Sequence, residues 1–223
     1  MPRSRAPAGA AVAFGVAVAL LVVLVGPLLL FNPWFTSVLQ ARHGVAAELG
    51  VSQRTVDRVT GEILADLYVG GSFDAALDPG EPLLDDGERS HMRDVSRLVR
   101  LLVAVALVAA IVAVVAGVAL RAEAGRRGRV LLVVGGLVGT AALLVALTFA
   151  VAFDEAFLVF HELFFPPGTY LFAEGSKLIT LFPEPFWFEA ALTAGATILA
   201  AAALVAAVGL RAWRAGAASP ERP

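Results

Sequence analysis

Cysteine is absent from the 223 residues. That removes disulfides, thiolate nucleophiles and cysteine-ligated metals, and leaves no cysteine for a lipid anchor of the chain's own. Lysine occurs once and histidine three times, and charged residues make up only 16% of the chain. With a net charge of −2 there is no basic surplus to face a phosphate backbone, and no nucleic-acid partner is expected. Also missing are a glycine-rich phosphate loop and a serine in a nucleophile-elbow setting. His161-Glu162 opens like a zinc-protease motif, but Phe165 stands four residues on, so there is no H-E-x-x-H. Two histidines with Asp94 or Glu162 could hold a metal in principle; this is the lesser reading, and neither metal nor cofactor is expected.

Apolar residues are abundant instead. They form 59% of the chain, and the mean hydropathy is +0.81, well above a soluble domain of roughly half apolar composition. Four runs stand out: residues 8–31, 98–120, 130–153 and 188–210. Each exceeds the ~20 residues with which a helix crosses about 30 Å of hydrocarbon. The expected fold is therefore an all-α integral membrane protein with four transmembrane helices, one membrane domain over 1–223. The first run is too long for a signal peptide and ends in Gly26-Pro27-Leu28 without a small-x-small cleavage site, so it reads as a retained anchor.

Arginine placement sets the expected orientation. Arg3 and Arg5, then Arg121, Arg126, Arg127 and Arg129, then Arg211, Arg214 and Arg222 mark three segments. The positive-inside rule assigns all three to the cytoplasm, both termini included. Segments 32–97 and 154–187, in which acids outnumber bases, then face outward from a multi-pass protein of the cell membrane.

Segment 32–97 opens with Asn32-Pro33-Trp34-Phe35, a pattern suited to an interfacial aromatic anchor. Ser52 is a candidate N-cap, and Val56, Val59, Ile63, Leu64, Leu67 and Tyr68 recur at helical spacing. Gly70-Gly71 should stop that helix, Asp78-Pro79-Gly80 should turn, and Asp85-Asp86-Gly87-Glu88 reads as an acidic loop into the second span. No large core of its own is expected here. Within it, ELGVSQRTVDRV (Glu48–Val59) imitates a DNA-binding helix-turn-helix, but the acids around it argue for an amphipathic helix on the membrane plane or over the helix ends. Segment 154–187 is dense in rings and interrupted by Pro166-Pro167 and Pro183-x-Pro185, which no continuous helix tolerates. It reads as a folded lid. Gly135-x-x-x-Gly139 in the third run is a small-residue packing face.

Of the histidines, His43 lacks chemical company and reads as a solvated bystander. His91 (in SHMRDVSRLVR) and His161 (in VFHELFF) lie at the same mouth by topology, and an imidazole pair titrating near neutrality suits base chemistry. On a helix starting at Ser90, Asp94 shares the His91 face and could orient the ring. Arg97, one turn on, is placed to stabilise negative charge, whereas Arg100 should snorkel to the interface. Asp154 precedes His161 by seven residues on roughly the same face.

HMRDV at the second span, FHELFF followed by a tyrosine, KLITLFPEPFW before the fourth span and L-x-D-L-Y (Leu64–Tyr68) together resemble a family of four-span membrane proteins that includes the bacterial lipoprotein intramolecular transacylases. The resemblance implies an acyltransferase acting on a diacylated lipoprotein at the membrane lipid surface. One acyl chain would move from the glyceryl ester to the α-amino group of the lipid-modified cysteine. It implies His91 and His161 as the catalytic pair, supported by Asp94, Arg97 and Asp154. Phe164, Phe165, Tyr170, Phe172 and Trp187 would line the acyl-chain site. A small transporter or channel is the alternative, but the spans hold no Asp, Glu, His or Lys at their centres, where a relay would need them. A non-catalytic membrane scaffold is the third reading.

Overall fold

The computed structural model describes residues 7–77, 80 and 82–218. Asp78 and Pro79 of the expected turn, together with Arg3, Arg5 and Arg222, lie outside them. Among the described residues all regular structure is helical: α1 (Ala8–Leu30), α2 (Pro33–Arg42), α3 (Val45–Glu48), α4 (Gln53–Val69), α5 (Asp86–Ala119), α6 (Ala124–Val151), α7 (Phe153–Phe164), α8 (Lys177–Leu181) and α9 (Glu184–Ala218). Four of them, α1, α5, α6 and α9, are long and apolar enough to cross a membrane.

Helix α5 runs for 34 residues, about 50 Å at ~1.5 Å per residue, well beyond the ~30 Å of a hydrocarbon core. The excess is its charged beginning. Asp85-Asp86-Gly87-Glu88 is not a loop but the start of this helix. The Asp85 carboxylate accepts the Glu88 N–H at 2.8 Å, and the Glu88 carboxylate accepts the Asp85 N–H at 2.8 Å. This reciprocal capping box nucleates α5 before the apolar run begins.

The chain divides into two compact units. The first comprises the described residues of Met1–Gly26, Ala104–Val145 and Gly195–Pro223. Here α6 and α9 meet backbone to backbone. A Cβ on Gly128 would come within 2.3 Å of the Trp213 nitrogen, and one on Gly209 within 2.4 Å of the Leu132 nitrogen. Gly135 likewise faces the Ala202 carbonyl at 2.6 Å, as a small-residue face should. Phe14 fills a second contact, packed with Ala116 and Leu120. Arg129 stacks over Trp213 at 5.7 Å.

The second unit is Pro27–Val103 with Ala146–Ala194. Its core is larger than the sequence of 32–97 suggests, because that segment does not build it alone. Val56, Val59, Ile63, Leu64 and Leu67 of α4 are buried together with Leu178, Leu181, Phe182 and Phe186. Ser52 caps α4 through the Thr55 N–H, and Gly70 ends it in a left-handed conformation at φ 78°. Tyr68, expected on the apolar face, is 42% exposed and donates its hydroxyl to the Phe31 carbonyl at 3.2 Å. The helix-turn-helix imitation is real locally, as α3, a turn and α4, but the face of α4 carrying Val56 and Val59 is spent in the core. Gln40 joins three helices from inside. Its Nε2 donates to Thr60 Oγ1 and to the Leu181 carbonyl, both at 3.0 Å, while its Oε1 accepts from Thr60 at 3.2 Å. At the surface of the same unit Trp34 is 74% exposed, in the N-terminal turn that Asn32 caps.

Candidate active site

The start of one helix and the end of another build the site. The charged first turns of α5 carry His91, which is 6% exposed, and α7 carries His161. The apolar pattern through Phe153 suggests one helix reaching toward His161, but α6 stops at Val151, and Ala152 (φ −142°, ψ 57°) separates it from α7. Asp154 and Glu155 then fall in the first turn of a new helix, where the N–H groups of a helix N-terminus favour negative charge. In an unbroken α6 they would lie in a helix interior without that compensation.

The two imidazoles stack, with ring centroids 6.0 Å apart and planes 25° from parallel. Phe165 lies at 4.8 Å from His91 and 5.4 Å from His161, Phe172 at 5.6 Å from His91, and Tyr170 at 5.3 Å from His161. Three of the five expected lining residues thus touch the pair. Phe164 packs on Phe160 instead and is 47% exposed. Trp187 packs on Phe157, Phe182 and Phe186. Phe157 is closer than any expected residue, its ring 4.2 Å from His161, and Phe160 lies at 5.4 Å. The i−4 spacing of Phe157 from His161 on a helix was the signal that could have found it.

His161 Nδ1 lies 2.7 Å from the Phe157 carbonyl oxygen. A carbonyl only accepts, so Nδ1 carries the proton and, in the neutral ring, the lone pair sits on Nε2. Burial among the rings pushes the His161 imidazole below its usual range, and the hydrogen bond to Phe157 offsets part of that shift. His91 Nδ1 is buried without a hydrogen-bond partner.

The expected supporting residues make no hydrogen bond to the rings. Asp94 pairs with Arg97 and makes no hydrogen bond to His91 Nδ1, but it is near enough for its charge to act on that ring. The Arg97 side chain is 74% exposed. Asp154 is exposed, and its expected partner His161 turns Nδ1 to Phe157 instead, because a backbone carbonyl four residues back on the same helix lies nearer than a side chain a full seven away. Arg100 lies against Gly70, where a Cβ would come within 2.6 Å of Nη1. His43 is no solvated bystander: its side chain is 17% exposed, with Nε2 3.3 Å from Glu189, which also pairs with Arg42 at 2.6 Å. Next to His91 an open cavity of ≈ 630 Å³ is lined by Asp85, Ser90, Thr169, Leu171 and Phe172 among others.

Known proteins share this fold. A family model described as lipoprotein intramolecular transacylase Lit matches residues 11–187. The fold is similar to the solved structure of the membrane integral lipoprotein intramolecular transacylase Lit from Bacillus cereus, with a TM-score of 0.83 at 17% identity over 94% of this chain and 97% of that one. A variant of the same Bacillus cereus protein with a histidine replaced by arginine gives 0.74 over 92% and 91%, and one with alanine in place of histidine 0.76 over 94% of each, both at 17% identity. No curated protein matches the chain in sequence. The family match covers more than half of the chain and takes in both stacked histidines, and on that ground this protein belongs to the lipoprotein intramolecular transacylase family.

Proposed function

We propose that the chain moves an acyl chain, within one diacylated lipoprotein molecule, from the glyceryl ester to the α-amino group of the lipid-modified cysteine, and that it does so on the outer face of the cell membrane. The observation carrying this reading is the stacked imidazole pair among rings, with the Nδ1 proton of His161 committed to the Phe157 carbonyl.

An α-ammonium has a pKa near 7.7–8.0, within reach of a neutral imidazole. The ammonium gives up one proton to solvent through His161 Nε2, the freed amine attacks the ester carbonyl carbon, and His161 Nε2 takes the second proton from the attacking nitrogen. The tetrahedral oxyanion collapses, the C–O bond to glycerol breaks, and the leaving alkoxide recovers the proton from the imidazolium. The product is an N-acylated lyso-lipoprotein. Nucleophile and electrophile belong to one molecule, so holding them in a reactive geometry supplies much of the acceleration. No covalent enzyme intermediate is needed, in keeping with a chain that has no cysteine. His91, with its unbonded buried nitrogen, is the donor suited to the developing oxyanion. Phe165, Tyr170 and Phe172 exclude water and seat the acyl chain. The outward assignment of this face follows from the arginines on the link between α5 and α6 and on the tail.

Mass spectrometry of amino-terminal lipopeptides from cells with and without the protein tests the reading. Expression converts diacyl to lyso N-acyl forms, and His161→Ala or His91→Ala lowers that conversion by about 100-fold or more while the protein remains in the membrane. Unchanged conversion by both variants, or none by the parent chain, overturns it.

A further inference from the structure

Glu88 is a buried carboxylate, 2% exposed, one helical turn before His91. One of its oxygens serves the capping box with Asp85. The other reaches out of α5 altogether: Oε1 accepts the Leu178 N–H at 3.0 Å and the Ser176 hydroxyl. Ser176 in turn caps α8 by accepting the Ile179 N–H at 3.2 Å. The stretch between Pro166 and Ser176 has no regular structure and carries Tyr170 and Phe172, rings that rest on the histidine pair. Among the described residues, the hydrogen bond that ties this stretch to any part of the chain beyond the adjacent α8 is the one from Ser176 to Glu88.

We infer that Glu88 is a positioning residue, whose carboxylate bolts the Pro166–Ser176 cover to the helix of His91 and so holds Phe172 against the imidazole. A helix cap alone needs one oxygen. The second oxygen takes two further donors in a desolvated setting, where hydrogen bonds to a charged acceptor are roughly twice as strong as neutral ones. Glutamine fits the same volume but cannot replace it: with an amide, an NH2 group would face either the Asp85 N–H or the Ser176 and Leu178 donors.

The inference rests on the transacylase reading only for its activity measurement; its first test is independent of activity. In the full-length protein in detergent, diethyl pyrocarbonate modification of each histidine is followed by peptide mass spectrometry, with His43 as internal reference. Glu88→Gln should raise the His91 rate relative to His43 by about 10-fold or more, the loss expected for a charged hydrogen bond, well below the temperature at which the variant unfolds. Ser176→Ala, which removes one donor and the cap of α8 but keeps the Asp85–Glu88 capping box, should raise it less, and it decides the matter if Glu88→Gln does not fold. An unchanged ratio overturns the inference. In the lipopeptide assay Glu88→Gln should lower kcat with KM held, whereas a purely structural role would lower the amount of folded protein and leave kcat per folded molecule as it was. Absence of transacylation by the parent chain would defeat the proposed function and leave the modification ratio standing.

Discussion

At the scale of the residue, the electrostatics of His161 lead to a pH expectation. The base must be neutral to accept a proton, so activity falls as pH drops through the pKa of His161. Burial holds that pKa below the ordinary 6.5, and the acid limb of kcat/KM against pH, which reports the free enzyme, should therefore have its midpoint below 6.5. Phe165→Ala, which opens the ring cage on both imidazoles, should readmit water, stabilise the imidazolium and move that midpoint up toward 6.5. A midpoint unmoved or lowered in the variant would disprove desolvation as the cause. That His91 and His161 meet was legible in the sequence because the chain has only three histidines and the span order brings two of them to one mouth. Their partners were less legible. Asp94 and Asp154 stood at the right helical spacing, but spacing does not reveal that Arg97 claims one carboxylate or that the Phe157 carbonyl claims the ring nitrogen.

Elements were legible where a local signal agreed with tertiary packing. Ser52 capped α4 as expected, and Gly70 closed it. Ser52→Ala should cost about 1 kcal/mol of stability, read as a lowered unfolding midpoint in detergent. Two elements escaped for different reasons. The start of α5 was taken for a loop because acids cluster there, although D-x-x-E at Asp85 and Glu88 is a capping box in its own right. The break at Ala152 has no glycine or proline to mark it, and only the acids that follow hint at a new helix. Between α6 and α9, the glycine contacts make a sharper forecast. Gly209→Leu must push a branched side chain into the Leu132 backbone, since even a Cβ would approach to 2.4 Å. The expected loss is at least the ~1–3 kcal/mol of an overpacked contact, and an unfolding midpoint at or above that of the parent would contradict it.

For the whole molecule, four apolar runs announced four helices fit to cross a membrane, because hydropathy is read from composition and needs no knowledge of contacts. The joint core of the second unit was hidden for the opposite reason. Leu178, Leu181 and Phe182 meet α4 across more than a hundred residues of sequence, and no local pattern encodes such a meeting. The orientation can be tested directly, since the chain has no cysteine and any introduced thiol labels on a silent background. With a membrane-impermeant maleimide on intact cells, Lys177→Cys should react and Arg121→Cys should react only after lysis; both positions are exposed. The reverse pattern would turn the proposed outward face inward.

Gln40 shows how finely this fold is tuned at one buried point. Its nitrogen faces two oxygens, on Thr60 and on Leu181. Exchanging that nitrogen for oxygen, as Gln40→Glu does, changes one heavy atom and almost no volume, yet it sets acceptor against acceptor at the Leu181 carbonyl. Hydrolysis of this amide would make the same exchange, and the full burial of Gln40 keeps water from it.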